Sequence, residues 1–147
     1  MSDLQKITNW LSTYSENERL QGLTVDYLSP DPETGNIVPS GLVEVSRMTD
    51  VWGNVTTENQ YVFGIYFVLT KPVTDNAAAV DNAAWVLAFQ QWGQEQSVRH
   101  LAPTFGDSPE TERMTAHNGV LYAENDNGTA TYRVLLTADF IKIYEVI

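Results

Sequence analysis

His100 and His117 are the only histidines of the chain, and histidine is the side chain best suited to proton transfer or zinc binding near neutral pH. Neither belongs to an H-x-x-x-H or H-E-x-x-H pattern, in which two imidazoles share one face of a helix. The chain has no cysteine, which excludes thiol catalysis, disulfide bonds and cysteine metal sites. There is also no G-x-S-x-G sequence around a serine nucleophile. We therefore expect exposed or capping roles for both histidines, and no enzymatic activity.

Two acidic segments that contain glycine, 31–35 (DPETG) and 124–128 (ENDNG), could suggest a calcium loop. An EF-hand loop needs carboxylates at its first and twelfth positions, with glycine at the sixth. In that register the first segment places Pro30 at the first position, and the second segment places Val134 at the twelfth. Both registers fail, and ordinary turn chemistry explains both segments. No glycine-rich phosphate-binding loop occurs either, so the sequence predicts no metal and no cofactor.

The charge balance is strongly acidic, with 8 basic residues against 19 acidic ones and a net charge of −11. The basic residues are scattered along the chain, and a negative field repels phosphate. Specific nucleic-acid binding is therefore not expected. The N-terminus has no basic region followed by an apolar run, and the longest apolar run, 83–89, is too short to cross a bilayer. We expect no membrane partner, and synthesis in the cytoplasm.

A segment from about 75 to 96 is predicted to be a helix with an unusually wide apolar surface. Offsets of four and three place its large aromatic residues on one face: Trp85, Phe89, Trp92. A neighbouring apolar stripe lies beside them: Val80, Ala84, Leu87. The aromatic stripe has two interpretations. It is either part of the core, the commoner role of aromatics at this spacing, or a surface that contacts a partner or lines a binding pocket.

The C-terminal quarter is predicted to be a long β-hairpin. The Asn-Gly pair in 124–128 is typical of a tight turn, because both residues tolerate a positive φ. After the turn, apolar side chains alternate with polar ones, which indicates a strand with one buried face: Ala130, Tyr132, Val134, Leu136, Ala138, Phe140. Consecutive apolar residues at 140–141 indicate a bulge there, or cover on both faces. Asn118-Gly119 is a further turn, or a bulge in the preceding strand.

The first half of the chain is predicted to contain one helix and three strands. The helix covers about 3–14 and begins with a capping box between Ser2 and Gln5. Strands are expected at about 23–27, 42–49 and 61–70. The last of these is apolar almost throughout, as in a central strand covered on both faces.

Two segments rich in proline and glycine, 30–41 and 101–109, are predicted to be exposed and mobile loops. The whole pattern indicates a single α+β domain, 1–147, in the order α-β-β-β-α-β-β. Its sheet is expected to be mostly antiparallel, with both helices packed on one face.

Five segments carry a resemblance to known proteins: 92–96 (WGQEQ), 101–107 (LAPTFGD), 119–121 (GVL), 126–132 (DNGTATY) and 139–145 (DFIKIYE). With them, the chain resembles the minor capsid or tail-completion proteins of siphophages and of prophages of Gram-positive bacteria. It is also similar, in length and element order, to the tail terminators of long-tailed phages. The likeness covers about 61–147 well, and the N-terminal part only by element order. The matched segments are turns and strands, and none is a chemical signature.

The resemblance implies a structural, non-enzymatic protein of the virion that acts at the head–tail junction. A tail terminator caps the tail tube as a ring, usually of six copies, and provides the surface to which the head docks. The implied partners are other copies of the chain, the tail tube protein and a head-completion protein, which meet in the host cytoplasm during assembly. The subunit contact is expected to use the helix at 75–97 or a sheet edge. The alternative is a module that binds a small molecule or a peptide with Trp85, Phe89 and Trp92.

Overall fold

The computed structural model of the protein describes residues 2–14, 22–25, 34–70, 76–124 and 128–146. A short 3-10 turn precedes the fourth strand, at Pro109–Thr111. The helices and strands follow in chain order: α1 (Asp3–Leu11), β1 (Gly22–Val25), β2 (Thr34–Thr49), β3 (Val55–Thr70), α2 (Asn76–Val98), β4 (Arg113–Glu124), β5 (Thr129–Tyr144). This is the predicted order, and it confirms the α+β class.

The strands form one five-stranded sheet in the order β1-β2-β3-β5-β4. All neighbours are antiparallel except β1 and β2, and β3 is central, as its apolar sequence predicted. The β3–β5 register runs unbroken from Val55 opposite Tyr144 to Thr70 opposite Thr129. The bulge considered at 140–141 is therefore absent from this pairing. Ile141 is half-buried, and its carbonyl accepts a hydrogen bond from the N–H of Asp107 in the loop before β4.

The core lies between one face of the sheet and both helices, which confirms the predicted layering. The alternating residues of β5, from Ala130 to Phe140, are all buried, and they face the apolar residues of β3 across the ladder. The two helices meet beside this face, where the rings of Trp10 and Trp92 stack at 4.8 Å. Trp10 Nε1 also donates a hydrogen bond of 3.0 Å to Gln96 Oε1. Each large apolar side chain buried in this way contributes roughly 1.5–3 kcal/mol.

The start of α1 agrees with the prediction, and its end does not. The backbone N–H of Gln5 donates to Ser2 Oγ, and that of Ser2 donates to Gln5 Oε1, which completes the capping box. The helix stops at Leu11 rather than continuing to Tyr14. Ser12 begins the exit, because its hydroxyl bonds back to a carbonyl of the last turn and competes with further helix.

The predicted loop at 30–41 is wrong for its described part, since β2 already begins at Thr34; 30–33 lie outside the described residues. Within the described residues, β1 pairs with β2 as far as Ile37, so Pro39, which has no N–H, lies beyond the described β1 pairing. Gly41 has φ 95° and lies where the β2–β3 register shifts. The Pro and Gly content marks an irregular edge strand here.

The loop at 101–109 is irregular, as predicted, but it is anchored to the body of the protein. Phe105 is buried, and the N–H groups of Phe105 and Gly106 donate to the two carboxylate oxygens of Glu112, at 2.7 and 3.0 Å. The N–H of Asp107 donates to the carbonyl of Ile141 at 2.8 Å. The prediction of a mobile loop assumed few buried contacts, and that assumption is wrong.

Candidate interaction surfaces

The structure places the two histidines at separate structural features. His100 is exposed, with φ 58°, and ends α2: its N–H donates to Ser97 O, and that of Leu101 donates to Gln96 O. This backbone pattern is a Schellman cap, so the capping role predicted for His100 is confirmed. His117 is half-buried in β4, just before the bulge that Asn118 makes with φ 56°. Among the described residues, no three His, Asp or Glu side chains are grouped to hold a metal ion.

The aromatic stripe of α2 packs into the core. Phe89 is only 2% exposed, while Trp85 and Trp92 are half-buried against the same cluster. The ring of Trp85 meets the ring of Phe67 edge to face at 4.8 Å. These residues therefore belong to the core or pack against it. A partner that leaves the core intact cannot reach Phe89.

A second surface of α2 lies outside the core, beside the aromatic stripe, and is apolar or uncharged at the positions named below. Leu87, on the stripe predicted beside the aromatics, is 56% exposed, and Val98, beyond the predicted stripe, is 72% exposed. The same face continues through further exposed positions: Val80, Ala84, Gln91, Gln94. This surface confirms that the apolar arc of α2 is wider than its contact with the sheet requires.

An open groove of about 360 Å³ runs between this face of α2 and β4. Leu87, Val98 and Met114 supply its apolar lining, and glutamines of α2 supply neutral polar groups. Arg113, exposed at the start of β4, is the one charged residue among those that line it.

Beside the groove, α2 covers the edge of β4. Ser97 Oγ accepts a hydrogen bond of 2.9 Å from the N–H of Met114, and Gln90 Nε2 donates one of 3.3 Å to the carbonyl of Ala116. Gly119 makes this close approach possible, since a Cβ at that position would lie 2.2 Å from Gln90 Oε1. The bulge at 118–119, one of the two predicted alternatives, is thus packed against the helix.

The opposite side of the sheet carries a different feature, the outer part of the β2–β3 hairpin, which we call the arm (residues 40–60). Within the described residues, β1 ends opposite Ile37, so no strand pairs with the outer edge of β2 in the arm. Residues 40–49 are all exposed. Several of them are large and apolar: Leu42, Val43, Val45, Met48.

The turn at the end of the arm holds two apolar side chains in solvent. Val51 is 94% exposed and Trp52 is 76% exposed. Asp50 Oδ1 accepts hydrogen bonds of 2.9 Å from the N–H groups of both Trp52 and Asn54, and Gly53 adopts φ 87°. The turn is therefore closed by its own bonds, and the exposure of Val51 and Trp52 follows from its geometry.

Sequence reasoning missed the arm as a surface. A signal was present in residues 42–48, where apolar side chains occupy both phases of the alternation. A strand with one buried face needs apolar side chains in only one phase, so the others had to lie in solvent or against a partner. At the base of the arm, β5 adds Ile143, opposite Thr56, and Tyr144, and both are exposed.

Comparison with known proteins identifies no family. No protein-family model matches the sequence, and no curated protein matches it. Neither helix, over the residues that the structure describes, is long and apolar enough to cross a membrane.

Proposed function

We propose that this protein is a structural subunit of the head–tail junction of a phage or prophage. In this proposal, copies of the chain form a ring that caps the tail tube and provides the surface to which the head docks. The resemblance of residues 61–147 to minor capsid and tail-completion proteins suggests the place of action.

One structural observation carries the proposal: among the described residues, the arm and the groove between α2 and β4 are exposed apolar surfaces of different shape. The arm projects from one side of the sheet, and the groove between α2 and β4 lies at the opposite edge. A ring is built from head-to-tail contacts, in which each copy uses two different surfaces. Exposed apolar patches and open strand edges on a folded protein are typical of interaction sites.

The acidic composition also suits a protein placed around a DNA conduit. With a net charge of −11, the wall of such a ring would repel phosphate and let DNA pass without binding it. We expect weak binding of free duplex DNA by the isolated protein. A sub-micromolar dissociation constant at physiological salt would contradict this part of the proposal.

The alternative, a module that binds a small molecule or peptide with Trp85, Phe89 and Trp92, has less support. Its central residue, Phe89, is buried, and the rings on either side of it pack against the core.

The decisive experiment is cryo-electron microscopy of phage tails assembled with this protein. We expect ring density that fits this fold at the head-proximal end of the tail. Tails assembled without the protein should lack that density and should not join to filled heads. If tails that contain the protein carry it elsewhere, the head–tail proposal is wrong.

A further inference from the structure

We propose that the tip of the arm of one copy docks in the α2–β4 groove of the next copy. This deepens the ring assembly proposed above and rests on it, because it names the two surfaces that meet. The occupant of the groove is thus a second copy of this chain, through the side chains of Val51 and Trp52.

The tip of the arm fits the groove of a second copy in size. Trp52 is a large aromatic side chain held in solvent by a closed turn, and the groove has a volume of about 360 Å³, with apolar side chains at Leu87 and Val98 and glutamines between them. That volume lies within the range of about 300–1,000 Å³ found for sites that bind small ligands. Tryptophan seated in a pocket is among the commonest residues that dominate binding between proteins. Docking would remove exposed apolar surface from both copies.

The charges of the tip and of the groove also favour this contact. Two copies that each carry a net charge of −11 repel each other unless the contact avoids opposing acidic groups. The tip carries the carboxylate of Asp50, and the groove carries the guanidinium of Arg113 as its one charged side chain. Opposite charges placed in this way fix the orientation of the partner more than they add affinity.

Docking is also favoured over direct pairing of two arms. Pairing between two β2 edges would need a regular ladder across the two copies. The β2–β3 register shifts between Glu44 and Ser46, and a bulge there bends and twists the strand. Bulged edges are one of the ways in which proteins prevent edge-to-edge pairing. Such a pair would also have two-fold symmetry, which by itself does not extend into a ring.

The absence of cysteine makes disulfide trapping a clean test. Val51→Cys places a thiol at the tip, and Gln94→Cys places one in the exposed lining of the groove. The two single variants are mixed at high concentration and oxidised gently. We expect about tenfold more cross-linked dimer from the mixture than from either variant alone.

A matched control replaces the groove variant with Glu110→Cys, which is exposed and does not line the groove. A mixture that cross-links no better than this control overturns the proposal. Dominant cross-linking of Val51→Cys with itself also overturns it, because the arms then meet each other. Circular dichroism of each variant verifies the fold.

One further variant tests whether the charge of Asp50 contributes to the contact. Asp50→Asn keeps an oxygen that can accept the two turn hydrogen bonds but removes the negative charge. When it is added to the tip variant, we expect a severalfold lower cross-linking yield. An unchanged yield removes Asp50 from the contact.

Different results would contradict the docking proposal and the proposed phage function. If cryo-electron microscopy places the protein at the head-proximal end of tails while the tip and groove thiols do not cross-link, the docking is wrong and the function stands. If the thiols cross-link and the protein is absent from tail ends, the contact holds for an oligomer with another role.

Discussion

At the β4 edge of the sheet, side chains of α2 bond to the strand backbone, whereas at the β2 edge the strand runs past the end of β1 into the arm. Ser97 accepts from the N–H of Met114, and Gln90 donates to the carbonyl of Ala116. Along the arm, the described part of the chain supplies no neighbouring strand beyond Ile37. Among the described residues, the sheet therefore has one edge that α2 partly covers and one edge that is open along the arm.

The difference shows where the apolar residues of this chain stabilise the fold and where they remain available for contact with a partner. At the edge that α2 partly covers, the N–H of Met114 and the carbonyl of Ala116 bond to α2, and the apolar residues beneath α2 are buried. At the open edge, apolar residues remain in solvent, where they contribute little to the stability of one copy. An open edge risks uncontrolled pairing, and proteins normally cover it or bend it. Here the β2–β3 register shifts between Glu44 and Ser46, and such an irregularity disfavours regular pairing along this edge.

The largest expected effect is a difference in stability between a variant of the core beneath α2 and a variant of the arm. Phe89→Ala should lower the free energy of unfolding by about 3–5 kcal/mol, because it removes a fully buried ring and leaves a cavity. The matched aromatic replacement on the arm, Trp52→Ala, should change it by less than about 0.5 kcal/mol. Urea denaturation of both variants measures the difference. A large loss of stability in Trp52→Ala would mean that the arm supports the fold of a single copy.

The next effect tests the loop that leads into β4. A Cβ on Gly106 would lie 2.2 Å from the carbonyl oxygen of Ile141, which is backbone and cannot move cheaply. Gly106→Ala should therefore cost about 1–3 kcal/mol, the usual range for overpacking. Denaturant unfolding gives the value. If the loop is mobile instead, the added methyl group should be nearly neutral, and the anchoring described here would be wrong.

A smaller effect tests the side-chain bonds that close the β4 edge. Ser97→Ala removes the acceptor of the Met114 N–H, and an unsatisfied donor in this partly buried place should cost roughly 1–2 kcal/mol. Hydrogen exchange at Met114 should become faster in the variant. In the unaltered protein, that amide should exchange more slowly than the outward-facing amides of the arm. Equal exchange at both edges of the sheet would remove the contrast between them.

Much of the fold could be predicted from local pattern. The alternation in β5 and the apolar run in β3 depend on burial that is visible in neighbouring residues, and the capping box of α1 is contained in Ser2 and Gln5. The order of helices and strands followed from these local signals.

The errors have a common cause, which is contact between distant parts of the chain. Pro39 and Gly41 indicate a loop until it is known that they lie in β2, beyond its described pairing with β1, which ends at Ile37. The loop at 101–109 is held by Glu112 and by the backbone of β5, which its own composition does not reveal.

The candidate site was predicted less well than the fold. Spacing placed Trp85, Phe89 and Trp92 on one face of α2, but spacing alone could not decide whether that face meets the sheet or the solvent. The structure turns it toward the sheet and leaves the Leu87 stripe outside. The surface role of the arm depends on how far β1 extends along β2, and no local signal carries that information.

The smallest expected effect concerns Tyr61, which lies where the arm joins the covered part of the sheet. The phenol of Tyr61 donates a hydrogen bond of 2.5 Å to Asp3 Oδ2 at the start of α1. Partial burial, followed by the bond to Asp3 and the charge of that carboxylate, raises the pKa of Tyr61 to about 12. Because the folded state holds this proton more tightly than the unfolded state, the bond contributes fully below pH 10 and is lost as the pH rises toward 12.

Tyr61→Phe should therefore lower the free energy of unfolding by about 1 kcal/mol at neutral pH. The gap between the two proteins should close between pH 10 and 12, since ionised Tyr61 would be repelled by Asp3. Urea unfolding at several pH values gives the gap, and an ultraviolet titration of the folded protein should show one late-ionising tyrosine that the variant lacks. A gap that is constant up to pH 12 would show that α1 does not hold the base of the arm through this bond.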